Sequence, residues 1–295
     1  MQPRDLASYL FLALAWGLSF LVILHVVDGF GWVGAVSLRA LIAGSALLLF
    51  ARLTGRRLRF TARFWPLALV GATTVAGQLI GLSYGTPLIG TAMAAIIVAA
   101  IPLFSMIIAQ LWGLERMTPS RLLGLALGMG GIVLLVGFPA VPVTASFILG
   151  CVACLAGCFC AALGSNVVSA RLAGVDALEV TSAAFLIGGL MTLPLLLIIP
   201  VPGWPRPLDW AALFTSALVM SALTYVLYFK LVASIGATRS ISVEFAVTIV
   251  AVFVGAVVLG EPLTGMQLAG AAIIVLGCLL VLDLLPGMRA RKRRA

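Results

Sequence analysis

Long apolar stretches follow one another along this chain, separated by short polar breaks, and the two-residue alternation of a membrane barrel strand is absent. The stretches fall at residues 6–27, 32–51, 64–84, 88–112, 119–138, 146–169, 177–199, 208–229, 238–259 and 265–284. Most approach the roughly 20 residues that a helix needs to cross a hydrocarbon core of about 30 Å. Backbone N–H and C=O groups in hydrocarbon must be satisfied within their own segment, so the pattern predicts ten transmembrane helices. The first stretch is too long for the apolar core of a cleavable leader, and no small-residue cleavage site follows it, so it reads as a retained helix.

Composition agrees with lipid as the solvent. Of 295 residues, 63% are hydrophobic and only 9% charged, with a mean hydropathy of +1.24. The net charge of +9 would suggest nucleic acid in a water-soluble chain, but here it has to be counted loop by loop. With the N-terminus in the cytoplasm, the inner side holds Arg4, the cluster Arg52, Arg56, Arg57, Arg59 and Arg63, then Arg116, Arg121, Arg171, Lys230 and Arg239, and finally the basic tail. That is 16 of the 18 basic residues, with Arg206 outside and Arg39 within a helix. The positive-inside rule therefore predicts a multi-pass membrane protein with both termini cytoplasmic, its tail against anionic headgroups and no nucleic-acid partner.

Sliding the sequence by 146 positions sets Gly90 on Gly236, Ala100 on Ala246, Glu115 on Glu261, Thr118 on Thr264, Gly124 on Gly270 and Gly131 on Gly277. A unit of five helices has an odd number of crossings, so its second copy enters the membrane from the opposite side. The expected organisation is a first repeat over 1–139, a second, inverted repeat over 140–285, and a basic cytoplasmic tail over 286–295.

Ala15-Trp16-Gly17-Leu18-Ser19-Phe20, Leu38-Arg39-Ala40 and the paired Glu115-Arg116-Met117-Thr118 and Glu261-Pro262-Leu263-Thr264 turns resemble the EamA-type branch of the drug/metabolite transporter superfamily. Within that branch the overall similarity runs toward bacterial exporters of aromatic amino acids. The resemblance implies an all-α membrane fold of two inverted five-helix repeats around a central cavity lined by spans one, three, four, six, eight and nine. It also implies export. Two departures weaken functional symmetry between the halves: Leu163-Gly164-Ser165-Asn166 replaces the Trp-Gly pattern, and Thr248 stands where the first half has Pro102.

Ionisable groups within the spans are expensive and need a reason. Arg39 lies in the outer half of span two, either as a gate or carboxylate contact or as a structural lock between helices. Glu244 lies in the cytoplasmic half of span nine, either as a proton or ammonium carrier or as a hydrogen-bonded structural acid. Trp16, Ser19, Gln78, Tyr84, Asn166, Tyr225, Tyr228 and Ser242 complete the candidate cavity. Hydroxyls, amides and flat apolar rings of this kind suit a zwitterion with an aromatic or neutral side chain, although for any single aromatic residue helix packing is the favoured reading. Gly17, Pro102 and Pro194 are candidate hinges. Gly124, Gly128 and Gly131 allow close helix packing within one chain or between two, so oligomeric state stays open. Cys151, Cys154, Cys158 and Cys160 lack polar companions and read as packing residues.

No phosphate-binding glycine loop precedes the single lysine, Lys230, and the single histidine, His25, has no metal-binding companion. The expectation is a gradient-driven carrier of a small molecule, without cofactor or metal and not an enzyme. Export of hydrophobic cationic drugs is the alternative, and a passive channel is a third reading.

Overall fold

The computed structural model describes residues 3–58, 60–114, 118–137, 142–235, 240 and 243–281. These are helical and connecting segments, with no strand among them. Helix α1 covers Pro3–Leu53. It is followed by α2 (Phe64–Ile89), α3 (Thr91–Leu111), α4 (Pro119–Gly137), α5 (Ala145–Arg171) and α6 (Ala177–Leu197). Helix α7 runs from Pro207–Ala217 through Leu218–Leu223 to Thr224–Ile235. Helices α8 (Val243–Val258) and α9 (Gly265–Val281) complete the described chain. Among the described residues, six helical segments are long and apolar enough to cross a membrane, and the apolar parts of α4, α8 and α9 are shorter.

The stretches expected at 6–27 and 32–51 form one helical run broken at Gly31, whose φ of 68° and ψ of 165° lie outside the helical region. A positive φ strains any residue with a Cβ, and glycine adopts it freely. On a straight helix Trp16 and Arg39 would stand about 35 Å apart at 1.5 Å per residue, yet both line one small cavity. The chain therefore folds back at Gly31, and the two arms of α1 lie side by side.

Helix α3 is interrupted at Ala99–Ala100, directly before Pro102, which has no N–H to give. Carbonyls on this interrupted helix find donors on other helices. Thr248 Oγ1 donates to Ala95 O at 3.0 Å, Cys158 Sγ to Ile97 O at 3.5 Å and Cys278 Sγ to Ala99 O at 3.2 Å. All five cysteines are free thiols. Three of them, Cys158, Cys278 and Cys154, whose Sγ donates to Gly81 O at 3.9 Å, thus combine apolar packing with a weak S–H donor.

Two features recur at the 146-residue interval. The first is a π-helical turn, over Gly71–Gly77 in α2 and Leu218–Leu223 in α7. The second is a glycine seam between α4 and α9, which pair extensively. A Cβ on Gly131 would stand 2.8 Å from Gly270 O, and one on Gly277 would stand 2.5 Å from Gly124 O. The order of these contacts makes the two helices antiparallel. The small residues let their backbones meet within one chain, the first of the two uses expected for this stripe.

The ends of the bundle are tied by polar contacts. Glu261 Oε1 and Oε2 each accept a backbone N–H, from Thr91 and Ala92, both at 2.7 Å, at the start of α3. Arg206 Nη2 reaches Asp28 at 2.7 Å and Asp209 at 3.0 Å. Its side-chain hydrogen bond to Asp209 is the largest influence raising the guanidinium above its ordinary value. At the other end Arg56 pairs with Asp176 at 3.3 Å, and Ser234 donates to Asp5 at 3.1 Å.

Candidate functional site

Both arms of α1, together with α2, α3, α7 and α8, enclose a narrow cavity of ≈ 60 Å³. At about 30 Å³ per molecule in the liquid, that is the space of a few waters. The wall carries Trp16, Ser19, Gln78, Tyr225, Arg39 and Glu244, with Phe20, Ile23, Leu79, Leu82, Val98 and Val247 as its apolar part. Among the described residues, helices α4 and α9 contribute nothing to it. The lining drawn by family resemblance differs in two places: span two supplies Arg39, and span six is missing from the described wall.

The π turn in α7 organises one side of this space. Such a turn inserts a residue and leaves main-chain carbonyls without their usual helical donors. Arg39 Nε donates to Ser221 Oγ at 2.6 Å and Nη2 to Met220 O at 3.2 Å. Arg39 is therefore buried, at 6% exposure, yet supported on one edge. Its remaining nitrogen, Nη1, makes no hydrogen bond among the described residues. One turn on, Trp16 Nε1 donates to Thr224 Oγ1 at 3.0 Å. The indole is thereby fixed against Tyr225 and Tyr228, with ring centroids 5.4 Å from each. Tyr225 Oη reaches Gln78 Oε1 at 3.4 Å.

Glu244 stands in the first turn of α8 and is 9% exposed. Its carboxylate has no hydrogen-bond or ion-pair partner among the described residues, and Arg39 is not paired with it. A buried acid without a protein partner, facing a cavity, is costly in isolation and is relieved by a proton or by a cationic ligand.

Of the candidates read from the sequence, Trp16, Ser19, Gln78, Tyr225, Glu244 and Arg39 converge on the cavity. Tyr228 sits behind Trp16 and touches it without lining the space. Tyr84 packs edge-on against Trp32 at 5.4 Å. Asn166 donates to Ser105 Oγ at 2.9 Å and to Ala162 O at 2.9 Å, which ties α5 to α3. Ser242 lies outside the described residues, as do Glu115, Arg116, Arg239 and the tail. A Cβ on Gly17 would stand 2.5 Å from Val250, so this glycine serves close packing of α1 on α8. Pro102 opens the second segment of α3, and Pro194 stands in a terminal 3-10 turn at Leu193–Leu197. Ser221, the partner of Arg39, was missed by sequence reasoning. A lone serine in an apolar helix carries no mark of the π turn beneath it.

Among the described residues the chain is helical, with several helices of membrane length around a cavity that both arms of α1 line, the build of a multi-pass membrane protein. The sequence profile of the EamA-like transporter family matches residues 6–137 and again residues 148–283. The chain belongs to this family and carries two copies of its domain. A "Probable terminal-alkyne amino-acid exporter" of Streptantibioticus cattleyicolor is 29% identical over 275 residues, covering 90% of this chain and 89% of that protein. The "Uncharacterized transporter YvbV" of Bacillus subtilis is 31% identical, covering 83% of this chain and 80% of its own length. "Protein PecM" of Dickeya dadantii is 25% identical across 99% of this chain and 96% of that one. A solved crystal structure at 19% identity covers 96% of this chain and 99% of the other with a TM-score of 0.65, a likeness of fold.

Proposed function

We propose that this protein is a secondary transporter that exports neutral or aromatic amino acids from the bacterial cytoplasm by alternating access. The observation that carries the reading is the placing, within one cavity wall, of an arginine whose Nη1 and an acid whose carboxylate have no hydrogen-bond partner among the described residues. A zwitterion answers both: its carboxylate meets Arg39 and its ammonium meets Glu244. Trp16, Phe20 and Tyr225 then offer apolar faces to the side chain. One relative named as an amino-acid exporter, at 29% identity, supports the substrate class.

The cavity is narrow, ≈ 60 Å³, and on this reading its walls part for each passage. That requirement favours a carrier over an open channel. The bending points on this reading are the α3 break at Pro102, one turn from the cavity residue Val98, and the π turns of α2 and α7. Gly17 and Pro194 would follow these movements.

The same reading takes the chain across the membrane ten times, counting both arms of α1, with repeats over 1–139 and 140–285 in opposite orientation. Both termini and the 286–295 tail would be cytoplasmic. Antiparallel packing of α4 on α9 through sequence-equivalent glycines is the contact that an inverted pair produces.

The test is efflux from liposomes loaded with labelled phenylalanine, tryptophan, a hydrophobic cationic dye or a nucleotide sugar, with and without a proton gradient. Saturable efflux and exchange of the amino acids is expected. Efflux of the dye alone would favour the cationic-drug reading, for which Glu244 beside aromatic faces is the supporting observation. Efflux that never saturates would mark a channel.

A further inference from the structure

Where α2 begins and α3 and α5 end, a groove of ≈ 560 Å³ runs along the outside of the bundle, sharing no residue with the central cavity. Trp65 and Leu69 of α2 form one bank, Trp112 and Leu114 after α3 the other, with Val167 and Arg171 of α5 between them. Trp65 is 80% exposed, and both Trp112 and Leu114 are exposed as well. Indoles at the ends of membrane helices settle at the headgroup boundary, with ring in hydrocarbon and N–H toward water.

Arg171 is the last residue of α5 and is exposed. Its guanidinium makes no hydrogen bond or ion pair among the described residues. Arg63 stands beside it, held by bonds from Nη1 to Arg171 O at 3.2 Å and Ala173 O at 3.5 Å. The groove therefore carries the positive charge of Arg171 at its rim, above an apolar floor. Water solvates such a floor poorly, and a zwitterionic lipid leaves the rim unanswered. An acyl chain with a phosphate whose charge is not cancelled satisfies both.

The geometry points to this groove as the seat of one anionic glycerophospholipid, with an acyl chain between Trp65 and Trp112 and its phosphate at Arg171. The occupant is a component of the bilayer, distinct from the transported substrate.

The experiment is native mass spectrometry of the full-length protein in detergent, with equal amounts of phosphatidylglycerol and phosphatidylcholine of identical chains. The wild type should retain one phosphatidylglycerol about five-fold more strongly than phosphatidylcholine, the factor that one arginine near a lipid surface supplies. Arg171→Gln should remove most of that preference, and Arg171→Lys should keep it. Trp65→Ala with Trp112→Ala should weaken both lipids alike. Absence of preference in the wild type, or full preference in a well-folded Arg171→Gln protein, overturns the proposal. Two-chain masses without lipid, lost in the double tryptophan variant, would assign the groove to a second copy of the chain and overturn it equally.

Discussion

Glu261 accepts the backbone N–H of Thr91 at 2.7 Å, and its second oxygen accepts that of Ala92 at the same distance. The two partners lie in different matched copies of the family domain. The carboxylate therefore clasps the corner between α8 and α9 to the first turn of α3, where free N–H groups and the helix dipole favour an anion. Glu261→Ala strands both donors and should cost about 3 kcal/mol. Glu261→Gln keeps one good acceptor and should cost less. Thermal unfolding in detergent measures both, and an unchanged midpoint for the alanine variant would remove the clasp from the account.

Arg39→Lys replaces a fork with a single ammonium. Lysine cannot bond Ser221 Oγ and Met220 O as Nε and Nη2 do while presenting a further nitrogen to the cavity. The expected outcome is about 1–2 kcal/mol of lost stability together with weaker amino-acid exchange. Ser221→Ala serves as the companion: it should lower stability in the same direction with a smaller effect on exchange.

Glu244→Gln keeps the size of the side chain and removes its charge. On the proposed reading, loss of one charge-assisted contact to an ammonium should weaken exchange of labelled phenylalanine about ten-fold or more. The fold should remain intact, because no described protein group depends on this carboxylate. Unaltered exchange by well-folded protein would take Glu244 out of the transport path.

Gly131→Leu drives a side chain into Gly270 O and Ile274, and Gly277→Leu does the same against Gly124 O and Gly128. Each should destabilise the α4–α9 seam by about 1–3 kcal/mol, the range for overpacked interiors. Gly130 has open space around its Cβ position, and Gly130→Leu should be nearly silent in the same unfolding assay.

The inverted arrangement predicts that positions 115 and 261 face opposite sides of the membrane. With the five native cysteines replaced, single cysteines at these positions should react with an impermeant thiol reagent from opposite sides of intact and inverted vesicles. Labelling of both from one side would end the inverted reading.

Several of these features differ in how legible they were along the chain. Arg39 and Glu244 stood out because lipid penalises charge so heavily that any ionisable residue inside a span demands an explanation. The repeated Glu and Thr at one offset were visible too, although their spacing carried no hint that Glu261 caps the start of another helix. Tyr84, Tyr228 and Asn166 resembled Tyr225 and Gln78 in type, yet face Trp32, Trp16 and Ser105 rather than the cavity. Helical rotation decides that difference, and in a span apolar on all sides no periodicity records the rotation.

The order of the residues by itself determined the solvent, the helical class, the family and the two charges that the membrane must accommodate. The family follows from the motifs, and the rest from a local quantity: the transfer of a side chain or a peptide group into hydrocarbon. Only the tertiary structure decided that cysteine thiols serve the carbonyls of the interrupted α3, and that the π turn of α7 holds Arg39 by one edge. Those outcomes depend on which helix faces lie against one another. Helices that are apolar all round choose their partners by shape and by scattered hydrogen bonds, which become visible only when the whole bundle is assembled.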